Sequence, residues 1–506
     1  MNDPDDRRDW MSARTGVAGR GALVWWARPA VAVSLLYLVV VWAARPWKAG
    51  DTPFVLDGTD ALTECLSRRD FVSCRFSGEL DYWGLMSPMG NWPLLQHIPD
   101  LALVGLGVDA HNDRELAFVL LGVAGALGSV LLAWLILSRT GQAAWFWGFL
   151  VVVSSGPILF YARTTFGETL ATGLLVGLVA ATVLRAPGPI VGFAALAASL
   201  TKETAYPFVA LLGLLGLVLA RQRTGQPIRT HVVWGGAGLA VGIALASLFN
   251  VIRFGSVLNT SYLEPELHTP GIGRTLEYVV ALFVSPSGGM LVFWPAASFL
   301  LATACLLPLV LRSGRRLDLR PALVLVASIA GLTVGFASWW TPFGWSGYGP
   351  RLTFPWVLPL VLIGLVAYGE ALGQLAGRLL APAWRVLLVF AVIFAFALPH
   401  VGQMWQPDSS AEFFQDKSPP CDAPWRGGVA EWHECQHELM WFSRPMGVYA
   451  LDGVGTTGGV VTSIAVAAAL LGCLILLREA LTVPGVAVAG PRSWKQSQPP
   501  EVDRLG

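Results

Sequence analysis

Residues 22–44 read ALVWWARPAVAVSLLYLVVVWAA. A run of about 23 residues, rising about 1.5 Å each in a helix, covers a hydrocarbon core of about 30 Å. It is long enough to stay in the membrane and is no cleavable signal. Soon after its end comes a polar opening, Gly50-Asp51-Thr52-Pro53-Phe54-Val55-Leu56-Asp57. A carboxylate so near the mouth of a hydrophobic span suits the base of a membrane enzyme. Equally, it can be a polar residue leaving the lipid.

The rest of the chain repeats the first run. Of 506 residues, 54% are hydrophobic and 13% charged, where a soluble domain carries about 25% charge. Charge that sparse cannot cover a soluble surface, so the chain reads as a polytopic membrane protein. A net charge of +1 gives no hint of nucleic acid as a partner. Most of the 22 Trp residues flank apolar runs, where their amphipathic rings suit the headgroup level. The Ala/Gly/Arg-rich, Lys-poor composition points to a GC-rich bacterial genome and hence a bacterial plasma membrane.

Further apolar runs fall at 117–137, 142–162, 166–184, 187–201, 204–220, 232–250, 290–311, 321–340, 352–373, 383–402 and 457–477, about twelve spans in all. The expected fold is all-α and integral to the membrane, with both termini on one side. Residues 1–21 read as a disordered arm, 22–478 as the transmembrane catalytic domain, and 479–506 as a disordered tail. Short loops on the side of the termini carry 11 Arg: Arg139, Arg185, Arg221, Arg223, Arg229, Arg312, Arg315, Arg316, Arg320, Arg378 and Arg385. The opposite short loops carry 5 cations, Arg163, Lys202, Arg253, Arg274 and Arg351. The positive-inside rule therefore puts both termini in the cytoplasm, and the long loops 45–116 and 403–456 outside. Those loops hold Cys65, Cys74, Cys421 and Cys435, as an oxidising exterior permits. Pairs Cys65–Cys74 and Cys421–Cys435 are expected, although four cysteines allow three pairings.

The outer side also collects the polar signatures. Runs 187–201 and 204–220 are separated only by Lys202-Glu203, so neither reaches across the outer leaflet. Lys202 either snorkels or lines a wet cavity cut into that leaflet. Arg163 to Glu168, Asn250 to Ser256, Ser285 to Gly289 and Trp339 to Arg351 are the other outer polar stretches. An outward site in a bacterium has no nucleotide pool, so a transferred group must arrive on a lipid carrier. Glycosyl transfer from a lipid phosphate needs a carboxylate to accept the acceptor's proton and cations to stabilise the departing phosphate. Asp51 is placed for the first task, with Asp57 and Asp60 close enough to compete. Arg351, Lys202, Arg253 and Arg163 are candidates for the second. Each Arg alone reads equally as a headgroup anchor, so the case rests on the set.

Several stretches together carry a resemblance. Gly50-Asp51-Thr52-Pro53-Phe54-Val55-Leu56 is similar to the GDEPHYL-type opening of the first outer loop in GT-C glycosyltransferases that use polyprenyl-phosphate sugars. Leu200 to Ala205 resembles the family's LTKETA, and Arg253 to Tyr262 its RFGSPLETGY. Ser285 to Trp294 resembles SPGRGLLWY, and Gly344 to Leu352 resembles GGWSYGPRY. The family includes protein O-mannosyltransferases and the lipid A aminoarabinose transferase. The resemblance implies an inverting transferase with a membrane-embedded outer cavity, with Asp51 the catalytic base and Glu168 an acidic residue of the second outer loop. It implies a polyprenyl-phosphate-linked sugar donor and an envelope glycan, lipid or exported protein as acceptor. Thr52 and Phe54-Val55 depart from the family's Glu and His/Tyr. A divalent cation, Mg or Mn, near Asp51 and Glu168 is compatible with these residues but not implied by them.

Two readings from other classes stand beside this one. His433-Glu434-Cys435-Gln436-His437 reads H-E-x-x-H, which on a helix puts two imidazoles on one face for zinc with Glu434 as base. Its loop is too short for a protease domain, and Cys435 is expected in a disulfide. A flippase or transporter for lipid-linked sugars would also have sparse buried charge, but the sequence lacks the inverted repeats and paired broken helices of that class.

Overall fold

Where the structure describes them, the apolar runs from 22–44 through 352–373 fall on helix. A computed structural model describes residues 20–37, 52–69, 94–108, 110–162, 167–202, 206–259, 268–285, 288–310, 317–339, 342–343, 351–380, 384–389, 391–392 and 429–441. The fold among these residues is all-α. They contain no strand, and extended pairing is limited to an isolated bridge between His268 and Trp339. In chain order the helices are α1 (Arg20–Tyr37), α2 (Thr52–Arg68), α3 (Leu94–Gly105), α4 (His111–Arg139), α5 (Trp145–Ser154), α6 (Ile158–Ala162), α7 (Glu168–Val183) and α8 (Gly188–Ser199). They continue as α9 (Tyr206–Thr224), α10 (Arg229–Phe254), α11 (Ile272–Val284), α12 (Met290–Phe293), α13 (Pro295–Val310), α14 (Arg320–Ala337), α15 (Phe354–Leu379) and α16 (Val429–Trp441).

Among the described residues, five stretches are long and apolar enough to cross a membrane unaided: Asp113–Arg139, Tyr206–Thr224, Arg229–Phe254, Arg320–Ala337 and Phe354–Gly377. Helices α5, α7, α8 and α13 are apolar but shorter. The run at 457–477 lies outside the described residues, as do the arm up to residue 19 and the tail 479–506.

Two runs that read as single spans are broken. In 142–162 the break falls at Ser155-Gly156-Pro157, because Pro157 has no N–H for the helix ladder. In 290–311 it falls at Trp294, ahead of Pro295. The two breaks meet: the buried Trp294 indole donates to the Val152 carbonyl at 2.6 Å, and a Cβ on Gly156 would collide with its ring. A carbonyl freed at membrane depth is thereby satisfied within the protein, as lipid requires.

Helix α15 is the most deeply buried of the span-length helices. Its Phe354, Leu358, Leu362 and Ile363 are fully enclosed in the main core, with residues of α4, α7 and α13. Helices α8 and α10 meet along glycines. Gly192 faces Gly238 so closely that a Cβ on Gly238 would strike the Gly192 carbonyl, and one on Gly242 would strike Ser199. Both helices carry glycine at a four-residue spacing, Gly188/Gly192 and Gly238/Gly242, which lets backbones touch where lipid offers no hydrophobic drive for association.

The helix ends sort to two ends of the bundle. At one end, Arg185 donates to Thr224 and Pro227 at 3.1 and 2.9 Å, Gln222 donates to Asp318 at 2.5 Å, and Arg223 donates to the Val366 carbonyl at 2.9 Å. The opposite end carries Glu168, Lys202, Arg253 and Arg351, together with α2, α3, α11 and α16. The first long loop is therefore not all loop, since it contributes two helices over this end.

Candidate functional site

Helix α2 begins at Thr52, and Asp51 lies outside the described residues. Its apolar positions Val55, Leu56, Leu62 and Cys65 are buried, while Asp57 faces solvent. Leu62 and Cys65 pack with Phe249 near the end of α10, flanked by Leu94 and Leu101 of α3. Asp60 is engaged by Arg114, in the first turn of α4, at 2.7 Å. The same guanidinium binds Asp100 of α3 through Nε at 2.6 Å and Nη2 at 2.5 Å, and reaches the Leu56 carbonyl at 3.3 Å. Arg114 and Asp100 are both buried. One planar fork thus holds three elements at once, a task for which a lysine's point charge has no equivalent. Beside it, Thr59 Oγ1 stands 3.0 Å from both the Val55 carbonyl and His97 Nδ1. Of the three carboxylates competing as base, Asp60 is committed to this fork.

Glu168, Lys202 and Arg351 come together from three separate parts of the chain. Glu168 opens α7, Lys202 follows α8, and Arg351 precedes α15. Arg351 Nε donates to Glu168 Oε1 at 2.6 Å, with both side chains largely shielded from solvent. Lys202 lies within electrostatic reach of both, with its Nζ 5.3 Å from the centre of the Phe336 ring. The second carboxylate oxygen of Glu168 is buried and has no hydrogen-bond partner among the described residues. The stacking of Tyr161 on Phe354, with ring centres 4.8 Å apart, sets α6 against the start of α15. Among the described residues two cations stand around one carboxylate, whose second, buried oxygen keeps its acceptor capacity. Such a set can hold an anionic oxygen and orient a hydroxyl.

Arg253 is not part of that set. It is buried, with its guanidinium 4.1 Å from the Phe249 ring centre and 4.8 Å from that of Phe254, and Nη2 donates to Asn250 at 2.5 Å. Its surroundings include His97 and Phe249, whose rings lie 5.4 Å apart. These contacts tie the end of α10 to the helices of the first long loop. Arg163 lies outside the described residues.

The H-E-x-x-H stretch is helical, in α16, but its side chains serve α11. The Tyr278 hydroxyl is 2.7 Å from His433 Nδ1, and His437 and Trp441 both reach Glu277. Arg274 bridges Glu277 and Glu434 at 2.6 Å each. Among the described residues, no three His, Cys, Asp or Glu gather as a metal site would require. Cys65 and Cys435 are each disulfide-bonded, and their expected partners Cys74 and Cys421 lie outside the described residues. The buried Cys305 is free.

Two imidazoles outside the spans are held neutral. Burial, reinforced by the Arg253 charge, pushes His97 down to about 3; burial, with the Arg274 charge, pushes His433 down to about 4. Both folded values lie below the ordinary 6.5, so the unfolded chain takes up more protons as the pH falls. Their contribution is full above about pH 6.5 and is lost from there down to about 4 for His433 and 3 for His97. His433→Asn, which keeps a polar atom for Tyr278, should flatten the fall in melting temperature between pH 6.5 and 5. An unchanged slope would mean that His433 carries its proton in the fold.

The sequence pointed to neither Arg114 nor Asp100. Their only trace was a pair of charges shortly before an apolar run, and a spacing of 14 residues matches no local motif.

No family profile and no curated protein matches the chain. Among solved structures it is similar to ArnT from Cupriavidus metallidurans bound to undecaprenyl phosphate, at 16% identity and a TM-score of 0.44, over 86% of this chain and 78% of that one. It is likewise similar to the apo state of that protein, at 18% identity and a TM-score of 0.42, over 90% and 78% of the two chains. Similarity at that level transfers neither a residue role nor an activity.

Proposed function

We propose that the chain is a membrane glycosyltransferase of the GT-C type, moving a monosaccharide from a polyprenyl-phosphate carrier to an acceptor hydroxyl on an envelope glycan, lipid or exported protein. The reaction takes place on the extracytoplasmic side of a bacterial plasma membrane and inverts the anomeric centre. The observation that carries this reading is the convergence of Glu168, Lys202 and Arg351 at one end of the bundle, from loops far apart in sequence.

In this reading Asp51 takes the proton from the acceptor hydroxyl as its oxygen attacks the anomeric carbon. The bond from that carbon to the phosphate oxygen breaks on the opposite face, and polyprenyl phosphate departs with the electron pair. Lys202 and Arg351 receive the phosphate charge, and Glu168 helps to orient the acceptor. Asp57, solvent-facing on the helix that follows Asp51, is the alternative base. The peptidase reading loses its support, because His433, Glu434 and His437 are taken up in fastening α16 to α11.

Membranes carrying Asp51→Asn should lose sugar transfer while still binding the lipid carrier. Retained turnover would remove Asp51 from the base role, and Asp57→Asn in parallel would show whether its neighbour holds it.

A further inference from the structure

Helix α11 has 13 residues, about 20 Å at 1.5 Å per residue, too short to cross a bilayer. Around its axis the side chains sort into two halves. Tyr278, Ala281 and Leu282 are buried against Ala337 at the end of α14 and Met440 of α16. Arg274 and Glu277 lie on the same half and bind α16. The other half is a single ridge at a four-residue spacing: Ile272 is 80% exposed, Leu276 58%, Val280 50% and Val284 44%. None of the four has a polar group, and the described residues do not cover them.

Left in water, such a ridge forfeits the gain of removing each large aliphatic side chain from solvent. Its surroundings indicate what covers it. The end of α14 on which α11 rests belongs to a span-length apolar helix whose Leu323, Val326 and Val334 are also exposed. At the end of α10, Val257 and Leu258 are exposed too. Exposed apolar side chains are thus carried both by a span-length helix and by α11, which packs against the end of that helix. We infer that α11 lies in the plane of the membrane interface with this ridge in the acyl chains, as amphipathic interfacial helices do. The partner is the bilayer itself. The consequence concerns the second long loop: α16, bound to the polar half of α11 and bonded through Ser285 Oγ to the Met440 carbonyl at 2.9 Å, is held down at the lipid surface.

The test uses full-length protein with Cys305→Ala and Cys473→Ala, in which Leu276→Cys or, separately, Val280→Cys carries a bimane label. The protein is reconstituted in phosphatidylethanolamine/phosphatidylglycerol vesicles with or without brominated acyl chains. Both labels should lose most of their fluorescence to brominated lipid and little to aqueous iodide. A label at Glu434→Cys, on the exposed side of α16, should respond in the opposite way. Quenching of Leu276→Cys and Val280→Cys by iodide alone would overturn the inference. Quenching by neither reagent would also overturn it, by placing protein over the ridge. The outcome is independent of the reaction proposed above, because it is read without any sugar substrate.

Discussion

Arg114→Met should cost the folded protein about 3–5 kcal/mol, the range expected when one partner of a buried ion pair is removed. The reason lies in what remains. Asp100 is fully buried and receives two of its hydrogen bonds from this guanidinium, so truncation strands a carboxylate away from water. Asp60 is partly exposed and can rehydrate, so Asp60→Asn should cost about 1 kcal/mol or less. The double change Arg114→Met/Asp100→Leu removes both charges together and should recover most of the loss, since an apolar pair of similar volume can replace a buried ion pair. Thermal unfolding in detergent, followed by tryptophan fluorescence, orders the variants. Arg114→Met melting with the unaltered protein would mean that Asp100 is not stranded from water.

A large effect on activity is also expected at Arg351. If it receives charge from the departing phosphate, Arg351→Ala should reduce transfer by about 10²–10³-fold, the usual loss for one preorganised donor at a developing anion. Arg351→Lys should recover part of this, restoring the charge but not the guanidinium's fixed direction to Glu168. Glu168→Gln separates the roles: it breaks the ion pair yet leaves Arg351 for the carrier, so kcat should fall with donor KM little changed. Initial rates against donor concentration decide the matter. Turnover within about threefold of normal for Arg351→Ala, well short of that loss, would reduce the pair to a fastening between α7 and α15.

How far the sequence could be read depended on the range of each interaction. Apolar runs announce helices because every residue of a span must satisfy its backbone within the span, and the helices fall where those runs are. The breaks in 142–162 and 290–311 were harder to see. Pro157 and Pro295 were visible, but continuous hydrophobicity outweighed them, and the indole that satisfies Val152 comes from 142 residues away. In the first long loop, Val55, Leu56, Leu62 and Cys65 have helical spacing, yet a long interval between spans reads as loop when only membrane-length runs are sought. The candidate site divides in the same way. Glu168, Lys202 and Arg351 were legible as polar residues on one side, and by resemblance as a set, but their convergence depends on how α7, α8 and α15 pack. Arg253 looked equivalent to them in the sequence. Only the aromatic rings around it, two of them from its own helix, set it apart.

The glycine seam between α8 and α10 also has a mechanical consequence. Backbone contact of this kind rests on dispersion, which loses roughly a quarter to a half of its attraction across a gap of about 0.5–1 Å, and much of α10's remaining surface is open. Such a joint is brittle rather than elastic. It resists small displacement stiffly and, once parted by little more than a methyl's width, retains almost none of its grip along the whole seam.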